Sequence, residues 1–247
     1  MASGKSTDKS RTYSTATDFN ITVLISGSGT NLQALIDACG QTPMSKDKPA
    51  PRRTLPNGHI AHVISNRREA RGLERAQNAH IPVTYHNLLA YKKRFPETEA
   101  GVAAARAHYD TDLAQQILTH IPCPDLVVCA GFMHILSSEF VNQLAKAGVP
   151  IINLHPALPG KFNGSDAIGR AYKAFQRGEI SNTGVMVHYV IEEVDMGKPI
   201  LVQEVEIRDG DSQEDLEERI HQSEHKLIVE ATGKVLEDLE EQRRREA

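Results

Sequence analysis

Apolar and polar residues alternate along the chain in short blocks, and these blocks predict strands and helices in turn. Asn20–Ile25 is mostly apolar and rich in β-branched residues, which indicates a first strand. Leu32–Ala38 follows after a glycine-containing turn, and its apolar residues recur with helical spacing. The other predicted strands are Ile60–Ser65, Ile81–Tyr85, Pro124–Ala130, Val149–Pro156, Thr183–Ile191 and Pro199–Ile207. The other predicted helices are Glu69–Ala79, Glu99–His120, one capped by Ser137 or Ser138 that runs to Ala147, Ala167–Arg177, and one from Ser212 to Glu240.

This order of elements predicts an α/β fold, with a single domain built on a mostly parallel, twisted, Rossmann-like sheet of about seven strands and helices on both faces. We expect a disordered polar tail over residues 1–18, the domain over residues 19–241 and a frayed tail over residues 242–247. Gln41 to Gly58 contains four prolines and predicts a loop inserted between the first helix and the second strand. The polar stretch from His86 to Thr98 predicts another loop.

Three predicted loops follow the carboxyl ends of strands, namely Gly27 to Asn31, Gly131 to Leu136 and Asn153 to Gly164. Open α/β sheets bind their ligands beyond this edge. We therefore expect these loops to converge on one pocket.

The strand Val149–Pro156 ends on two polar side chains. Side chains alternate along a strand, so Asn153 and His155 share a face, and Pro156 then ends the strand. An amide and an imidazole side by side provide an oxyanion donor and a proton shuttle for chemistry at a carbonyl. The alternative is a turn in which both side chains bond locally or face water.

The turn Ser26 to Asn31 carries two glycines between a strand and a helix. This geometry presents backbone amides and a helix N-terminus to a phosphate, although neither GxGxxG nor a P-loop is present. The alternative is a tight turn in which Thr30 or Asn31 caps the helix.

Composition narrows the class of protein. The chain has 247 residues, a formal net charge of −4 and a pI of about 6.3, which exclude a nucleic-acid binder held by bulk electrostatics. Cys39, Cys123 and Cys129 lack metal-ligand spacing and favour a reducing compartment, so we expect a cytoplasmic protein. The polar start of the chain lacks the apolar core of a secretory signal, and no apolar run approaches the roughly 20 residues that span a bilayer.

Four segments of the chain resemble the phosphoribosylglycinamide formyltransferases, enzymes of de novo purine synthesis that use 10-formyltetrahydrofolate. The segments are Ile25–Leu32, Ala130–Leu136, Ile152–Pro159, and Gly184–Val190 continued by Val194–Gly197 and Pro199–Ile200. The resemblance implies formyl transfer from 10-formyltetrahydrofolate to the amine of glycinamide ribonucleotide, which gives formylglycinamide ribonucleotide and tetrahydrofolate.

The resemblance also implies the roles of particular residues. The implied catalytic residues are Asn153, His155 and Asp195. The implied ribonucleotide-binding residues are Gly29, Thr30, Asn31 and Glu224. The implied folate-binding residues are Arg106, Met133, His134, Ile135, Leu136 and Asn153. It further implies 10-formyltetrahydrofolate as co-substrate, no metal, no nucleic-acid or membrane partner, and a monomer or weak homodimer.

The sequence departs from the family pattern at three places. Leu158-Pro159-Gly160-Lys161-Phe162 replaces the more usual Leu-Leu-Pro-Lys-Tyr, so we expect a different loop shape beside His155. His134 stands where many relatives have Arg, and His221 lies near a position that is often Gln. The Leu-Pro-Gly variant and the Gln41 to Gly58 insertion resemble the fungal branch.

Three other functions remain open at this stage. Methionyl-tRNA formyltransferase shares the catalytic core but adds a nucleic-acid-binding domain, whereas the chain from Ser212 onward predicts one helix. A formyltetrahydrofolate hydrolase normally carries an additional N-terminal regulatory domain. A non-catalytic nucleotide-binding module would use only the glycine-containing turn and would leave Asn153, His155 and Asp195 unexplained.

Overall fold

Seven strands and seven helices make up the part of the chain that the computed structural model describes, residues 18–43 and 52–246. The strands are β1 (Phe19–Ile25), β2 (Gly58–Ser65), β3 (Val83–Tyr85), β4 (Leu126–Cys129), β5 (Ile151–His155), β6 (Asn182–Tyr189) and β7 (Pro199–Glu206). The helices are α1 (Thr30–Ala38), α2 (Arg71–Asn78), α3 (Leu88–Lys92), α4 (Glu99–Thr119), α5 (Ser138–Lys146), α6 (Ala167–Gln176) and α7 (Gln213–Glu246).

The seven strands form one sheet in the order β3-β2-β1-β4-β5-β6-β7. The first five pair in parallel, and β6 and β7 are antiparallel additions at the β5 edge. The predicted mostly parallel α/β sheet is therefore confirmed. Strand order reverses between β1 and β4, and a crevice for ligands opens at such a reversal, beyond the carboxyl ends of the strands.

Helices cover both faces of the sheet, and β1 shows why its sequence is almost continuously apolar. Ile21 and Val23 pack in the cluster that contains residues of α1 and α7, while Leu24 packs in the cluster that contains residues of α4 and α5. A strand buried on both faces lacks the polar alternation of a half-exposed one.

The C-terminal residues, for which the sequence predicts a frayed tail over residues 242–247, are helical as far as Glu246, where α7 ends. The last turns are stabilised by pairs at i,i+4 spacing, Arg244 with Glu240 and Arg245 with Glu241. Arg243 also bonds to Asp125 and lies 4.2 Å from the centroid of the ring of Phe19, which ties the helix end to the sheet.

Two predicted loops are also revised. The stretch from His86 to Thr98 contains the short helix α3, whose N-cap is Asn87, with its side chain accepting from the amide of Leu89 at 2.9 Å. Most of the predicted N-terminal tail, residues 1–17, and the middle of the Gln41 to Gly58 loop, residues 44–51, lie outside the described residues. Gly58 itself already belongs to β2, since it pairs with Phe19. No helix among the described residues is long and apolar enough to cross a membrane.

His62 is a titratable group buried in the sheet. The residue is 3% exposed, its Nε2 lies 2.8 Å from Thr84 Oγ1, and its ring stacks on that of His120 at 4.1 Å between centroids. Its Nδ1 has no hydrogen-bond partner among the described residues. Burial, with a smaller contribution from His120, lowers the pKa of His62 to about 4.

We expect acid to destabilise the protein through His62. Its folded pKa lies below its ordinary value, so the unfolded chain binds more protons between those values and the free energy of unfolding falls as pH falls. Urea unfolding at pH 7.5 and pH 5.0 should show a loss of roughly 1–2 kcal/mol from this residue. His62→Gln, which keeps a polar group for Thr84 but does not titrate, should lose correspondingly less than the wild type. Equal losses in the two proteins would show that other groups carry the acid sensitivity.

Candidate functional site

One cleft of about 720 Å³ opens between the loops that follow β1, β4 and β5, the loop between β6 and β7, and helix α7. Every site residue expected from the sequence lines it. They are Gly29, Thr30, Asn31, Arg106, Met133, His134, Ile135, Leu136, Asn153, His155, Asp195 and Glu224. The three loops predicted to converge do meet here.

The polar end of β5 meets the carboxylate of Asp195 inside this cleft. His155 Nδ1 lies 3.5 Å from Asp195 Oδ2, and Asn153 Nδ2 donates to Asp195 Oδ1 at 3.3 Å. The side chains of His155 and Asp195 are 5% and 8% exposed. The alternative in which Asn153 and His155 face water or bond only locally is therefore wrong.

The loop that carries Asp195 folds back over the sheet through two backbone features. Asp195 itself has φ +57°, in the left-handed region that Asp and Asn tolerate better than most residues. At Gly197 a Cβ atom would lie 1.6 Å from the carbonyl oxygen of Tyr189, so only glycine fits. These two positions let the loop turn sharply enough for the carboxylate to reach β5.

A fourth polar residue, His188, belongs to the same cluster and was missed by the sequence reasoning. It pairs with Asn153 across β5 and β6, and its Nε2 lies 3.2 Å from Asn153 Nδ2 and 3.5 Å from Asp195 Oδ1. Its Nδ1 donates to the carbonyl oxygen of Tyr189 at 2.9 Å, because a carbonyl can only accept. A single histidine among the apolar residues of the predicted strand was the available signal.

The surroundings lower the pKa of both Asp195 and His155. Burial alone would raise the pKa of Asp195, but the nearby ring of His188 and the hydrogen bond from the Gly164 amide, at 2.7 Å, together with nearby His155, hold the pKa below its ordinary value. Burial lowers the pKa of His155, against the opposing effect of the Asp195 carboxylate. At neutral pH the cluster therefore holds an ionised carboxylate beside a neutral imidazole, which is ready to accept a proton.

The loop after His155 begins with a tight turn. Leu158-Pro159-Gly160-Lys161 forms a turn closed by the bond from Lys161 N to Leu158 O at 3.0 Å, with Gly160 at φ +71°. Proline followed by a glycine of positive φ is the pattern of a type II β-turn. The side chain of Leu158 packs against Gly184 of β6, where a Cβ would lie 2.4 Å from Leu158 Cδ2. The unusual sequence thus makes an ordered turn anchored on the sheet.

The glycine-containing turn leaves its backbone amides without a side-chain cap. Helix α1 begins at Thr30, and the N-cap position is Gly29 at φ +71° with no capping side chain, so the alternative of a Thr30 or Asn31 cap is wrong. The turn packs directly on α2, since a Cβ on Gly29 would lie 2.4 Å from the Cα of Gly72. Gly72 N also donates to Gly27 O at 3.1 Å. An uncapped helix N-terminus on a rigid support suits an anion.

A buried carboxyl group faces the cleft from α7. Glu224 is 6% exposed and accepts from Asn31 Nδ2 at 3.1 Å. Burial raises its pKa above the ordinary value, against the Asn31 hydrogen bond and nearby His221. Asn31 Oδ1 is buried without a partner among the described residues. Both residues therefore have hydrogen-bonding capacity left for a polar ligand.

The opposite wall of the cleft is apolar at its mouth. Met133 and Ile135 are exposed large apolar residues, and both line the cleft. His134 lies between them, but its imidazole is 4% exposed and lies 2.7 Å from Asp110 of α4. The imidazole of His134 is thus occupied by its bond with Asp110. We therefore expect only the backbone of His134 to contact the folate. The exposed side chain of Arg106 has no hydrogen bond or ion pair with any residue that the structure describes.

The geometry defines an α/β protein in which a buried His–Asp–Asn cluster and an uncapped glycine turn share one cleft. The described residues include no group of three or more His, Cys, Asp or Glu side chains arranged to hold a metal. A family model described as formyl transferase matches residues 19–232. The chain belongs to the formyl transferase family.

Individual relatives are similar over almost their whole length. The phosphoribosylglycinamide formyltransferase of Schizosaccharomyces pombe is 50% identical over 219 residues, which are 89% of this chain and 98% of that protein. The enzyme of the same name from Saccharomyces cerevisiae is 46% identical over 223 residues, with the same two coverages. The crystal structure of glycinamide ribonucleotide transformylase 1 from Symbiobacterium toebii superposes with a TM-score of 0.71 at 32% identity, covering 90% of this chain and 89% of that one. The resemblance to the family, including its fungal members, is therefore confirmed.

We expect Asp195→Asn to lower the pKa of His155 further, because the carboxylate is what opposes the effect of burial. Asn is also suited to the left-handed backbone at this position. A pH titration of the His155 ring signals by NMR measures the change. Glu193→Gln removes a charge from the same loop and serves as the matched control, with no change expected. An unchanged His155 pKa in Asp195→Asn would mean that the carboxylate and the ring do not interact.

Proposed function

We propose that this protein transfers the formyl group of 10-formyltetrahydrofolate to the amine of glycinamide ribonucleotide, producing formylglycinamide ribonucleotide and tetrahydrofolate for purine biosynthesis. The observation that carries the proposal is the joining of Asn153, His155 and Asp195 in the same cleft as an uncapped glycine turn. The family membership and the names of the similar enzymes support the same reaction.

The transfer exchanges one carbon–nitrogen bond for another. The neutral amine attacks the formyl carbon, negative charge develops on the formyl oxygen, and the bond from that carbon to N10 of the folate then breaks. One proton moves from the attacking nitrogen to N10. Neither a metal nor a covalent enzyme intermediate is needed for this balance.

Asn153 is the donor for the formyl oxygen. Its two amide hydrogens are directed to His188 and Asp195 over 3.2 and 3.3 Å, at the long end of the usual hydrogen-bond range. One of these bonds is exchanged for the stronger bond to the developing oxyanion.

His155 moves the proton. Because burial keeps its pKa low, the neutral ring accepts the proton from the attacking nitrogen and then, as imidazolium, donates it toward N10. The carboxylate of Asp195, 3.5 Å from Nδ1, stabilises that transient charge. Asp195 thus orients the ring of His155, and the ring is neutral except during the proton transfer.

The rest of the cleft orients the two substrates. The backbone amides of Gly29, Thr30 and Asn31 receive the ribonucleotide phosphate, and Glu224 accepts from the ribose hydroxyls. On the folate side, Met133, Ile135 and Leu136 form the wall for the pterin, with backbone contacts from His134. The free guanidinium of Arg106 pairs with the glutamate carboxylates.

The setting of the reaction follows from the same proposal. Cys39 and Cys129 are buried free thiols, which is consistent with a cytoplasmic enzyme. Its partners are the two small substrates, and we expect it to act as a monomer or a weak homodimer.

Folate absorbance tests the reaction directly. With both substrates, the purified protein should release tetrahydrofolate only when glycinamide ribonucleotide is present. Asp195→Asn should lower kcat by about 100-fold or more, since general acid–base catalysis contributes at least that factor. Equal turnover without the ribonucleotide would indicate a hydrolase, and no turnover with it would reject the proposal.

Thr30→Asp tests the phosphate site. A carboxylate at the first residue of α1 should repel the phosphate and weaken ribonucleotide binding by about tenfold or more, with little effect on the folate. Thr30→Val is the control of similar shape and no charge. Calorimetric titration of each variant measures both affinities. An unchanged ribonucleotide affinity in Thr30→Asp would place the phosphate elsewhere.

A further inference from the structure

Arg170, on α6, holds the loop that supports the catalytic carboxylate. One guanidinium nitrogen, Nη2, donates to the carbonyl oxygens of Phe162 and Asn163, the latter at 2.7 Å. Its Nε donates to the carbonyl of Asp166 at 3.4 Å. Among the described residues Arg170 forms no ion pair with a carboxylate, and the side-chain bonds that it does form all go to carbonyl oxygens of residues 162–166.

One peptide unit connects Arg170 to Asp195. The carbonyl of Asn163 and the N–H of Gly164 belong to the same planar amide. The carbonyl accepts from Arg170, while the N–H donates to Asp195 Oδ2 at 2.7 Å. A bond to the carbonyl fixes the plane of the amide, and therefore the direction of its N–H. It also polarises the amide and strengthens the second bond.

The loop needs such a restraint because its backbone is unusual. Phe162 and Asp166 have φ of +48° and +53°, in the left-handed region that costs free energy for residues other than glycine. Asn163 makes a second tie, since its Nδ2 lies 3.2 Å from the sulfur of Met196, next to Asp195. The loop before α6 and the loop between β6 and β7 therefore contact each other at the position where the carboxylate of Asp195 is bound.

We propose that Arg170 is a positioning residue for the catalytic carboxylate, acting through the Asn163–Gly164 peptide to aim an N–H at Asp195. The proposal rests on the proposed function for its effect on turnover. The fork shape of the guanidinium matters, because one planar group reaches several carbonyls at once. Lysine carries the same charge but cannot reproduce that geometry.

Arg170→Gln tests the proposal in the ligand-free protein first. The titratable groups that face Asp195 are His155 on β5 and His188 on β6. If the peptide turns away, Asp195 is less firmly held beside His155, and the pKa of His155 should fall in the same direction as in Asp195→Asn but by less. NMR titration of the His155 ring measures this without any substrate.

Turnover gives the second readout. Arg170→Gln should lower kcat by about tenfold, as expected when a group that orients a catalytic residue is lost, and should change KM for the ribonucleotide less than twofold. Arg170→Lys should fall between it and the wild type, and it serves as the test protein if Arg170→Gln does not fold. Arg177→Gln is the matched control, because Arg177 lies just beyond the same helix, is exposed and, within residues 18–43 and 52–246, pairs only with Glu179.

The two readouts separate this proposal from the proposed function. If the wild type transfers formyl but the Arg170 variants match Arg177→Gln in both kcat and His155 titration, the positioning role is wrong and the function stands. A loss of thermal stability alone, with kcat and titration unchanged, also overturns it. If the wild type transfers no formyl, the proposed function fails, and the titration still decides whether Arg170 acts on the cluster.

Discussion

The buried carboxylate of Asp195 is the interaction on which the rest of the site depends. A charge that is 8% exposed is costly unless its oxygens are satisfied, and here two amide donors bond to them while two histidine rings lie beside them. The Gly164 amide reaches one oxygen, Asn153 and His188 reach the other, and His155 approaches the first from the end of β5. Placing this charge therefore fixes two strands and two loops at once.

The antiparallel addition of β6 to the parallel sheet makes that arrangement possible. Its register places His188 directly opposite Asn153, so two polar side chains from neighbouring strands lie within hydrogen-bond distance. The hydrogen bond from His188 to the Tyr189 carbonyl leaves only Nε2 to face the cluster. The strand thus determines which nitrogen the site can use.

Local sequence patterns predicted the parts of the structure that depend on residues close together in the chain. Strand periodicity and the following proline were enough to pair Asn153 with His155, and element order predicted the sheet. Asp195 was different, because Glu192 and Glu193 have the same local character and only the family resemblance singled it out. What separates it is contact with residues 31 to 42 positions earlier in the chain, together with a left-handed backbone, and no local pattern contains these.

His134 is a second example of a contact with a distant residue that local sequence does not predict. The family resemblance implies that it contacts the folate, and the residue does line the cleft, but its ring bonds to Asp110, 24 residues earlier. The end of α7 likewise depends on distant residues, since Arg243 contacts Asp125 and the ring of Phe19.

The departure of the loop after His155 from the family pattern is explained by how the loop is held. A Pro-Gly turn needs no partner outside itself to reverse the chain, and Leu158 anchors it where Gly184 leaves room. The segment that follows is then free to adopt left-handed residues, provided that something fixes its carbonyls. Arg170 does so from a helix that belongs to the rigid scaffold, and sites supported from helices and strands are held more tightly than sites supported by loops alone. The Asp195 carboxylate is thus bonded to the Asn163–Gly164 peptide, which lies beyond the turn, and not to the residues of the turn itself.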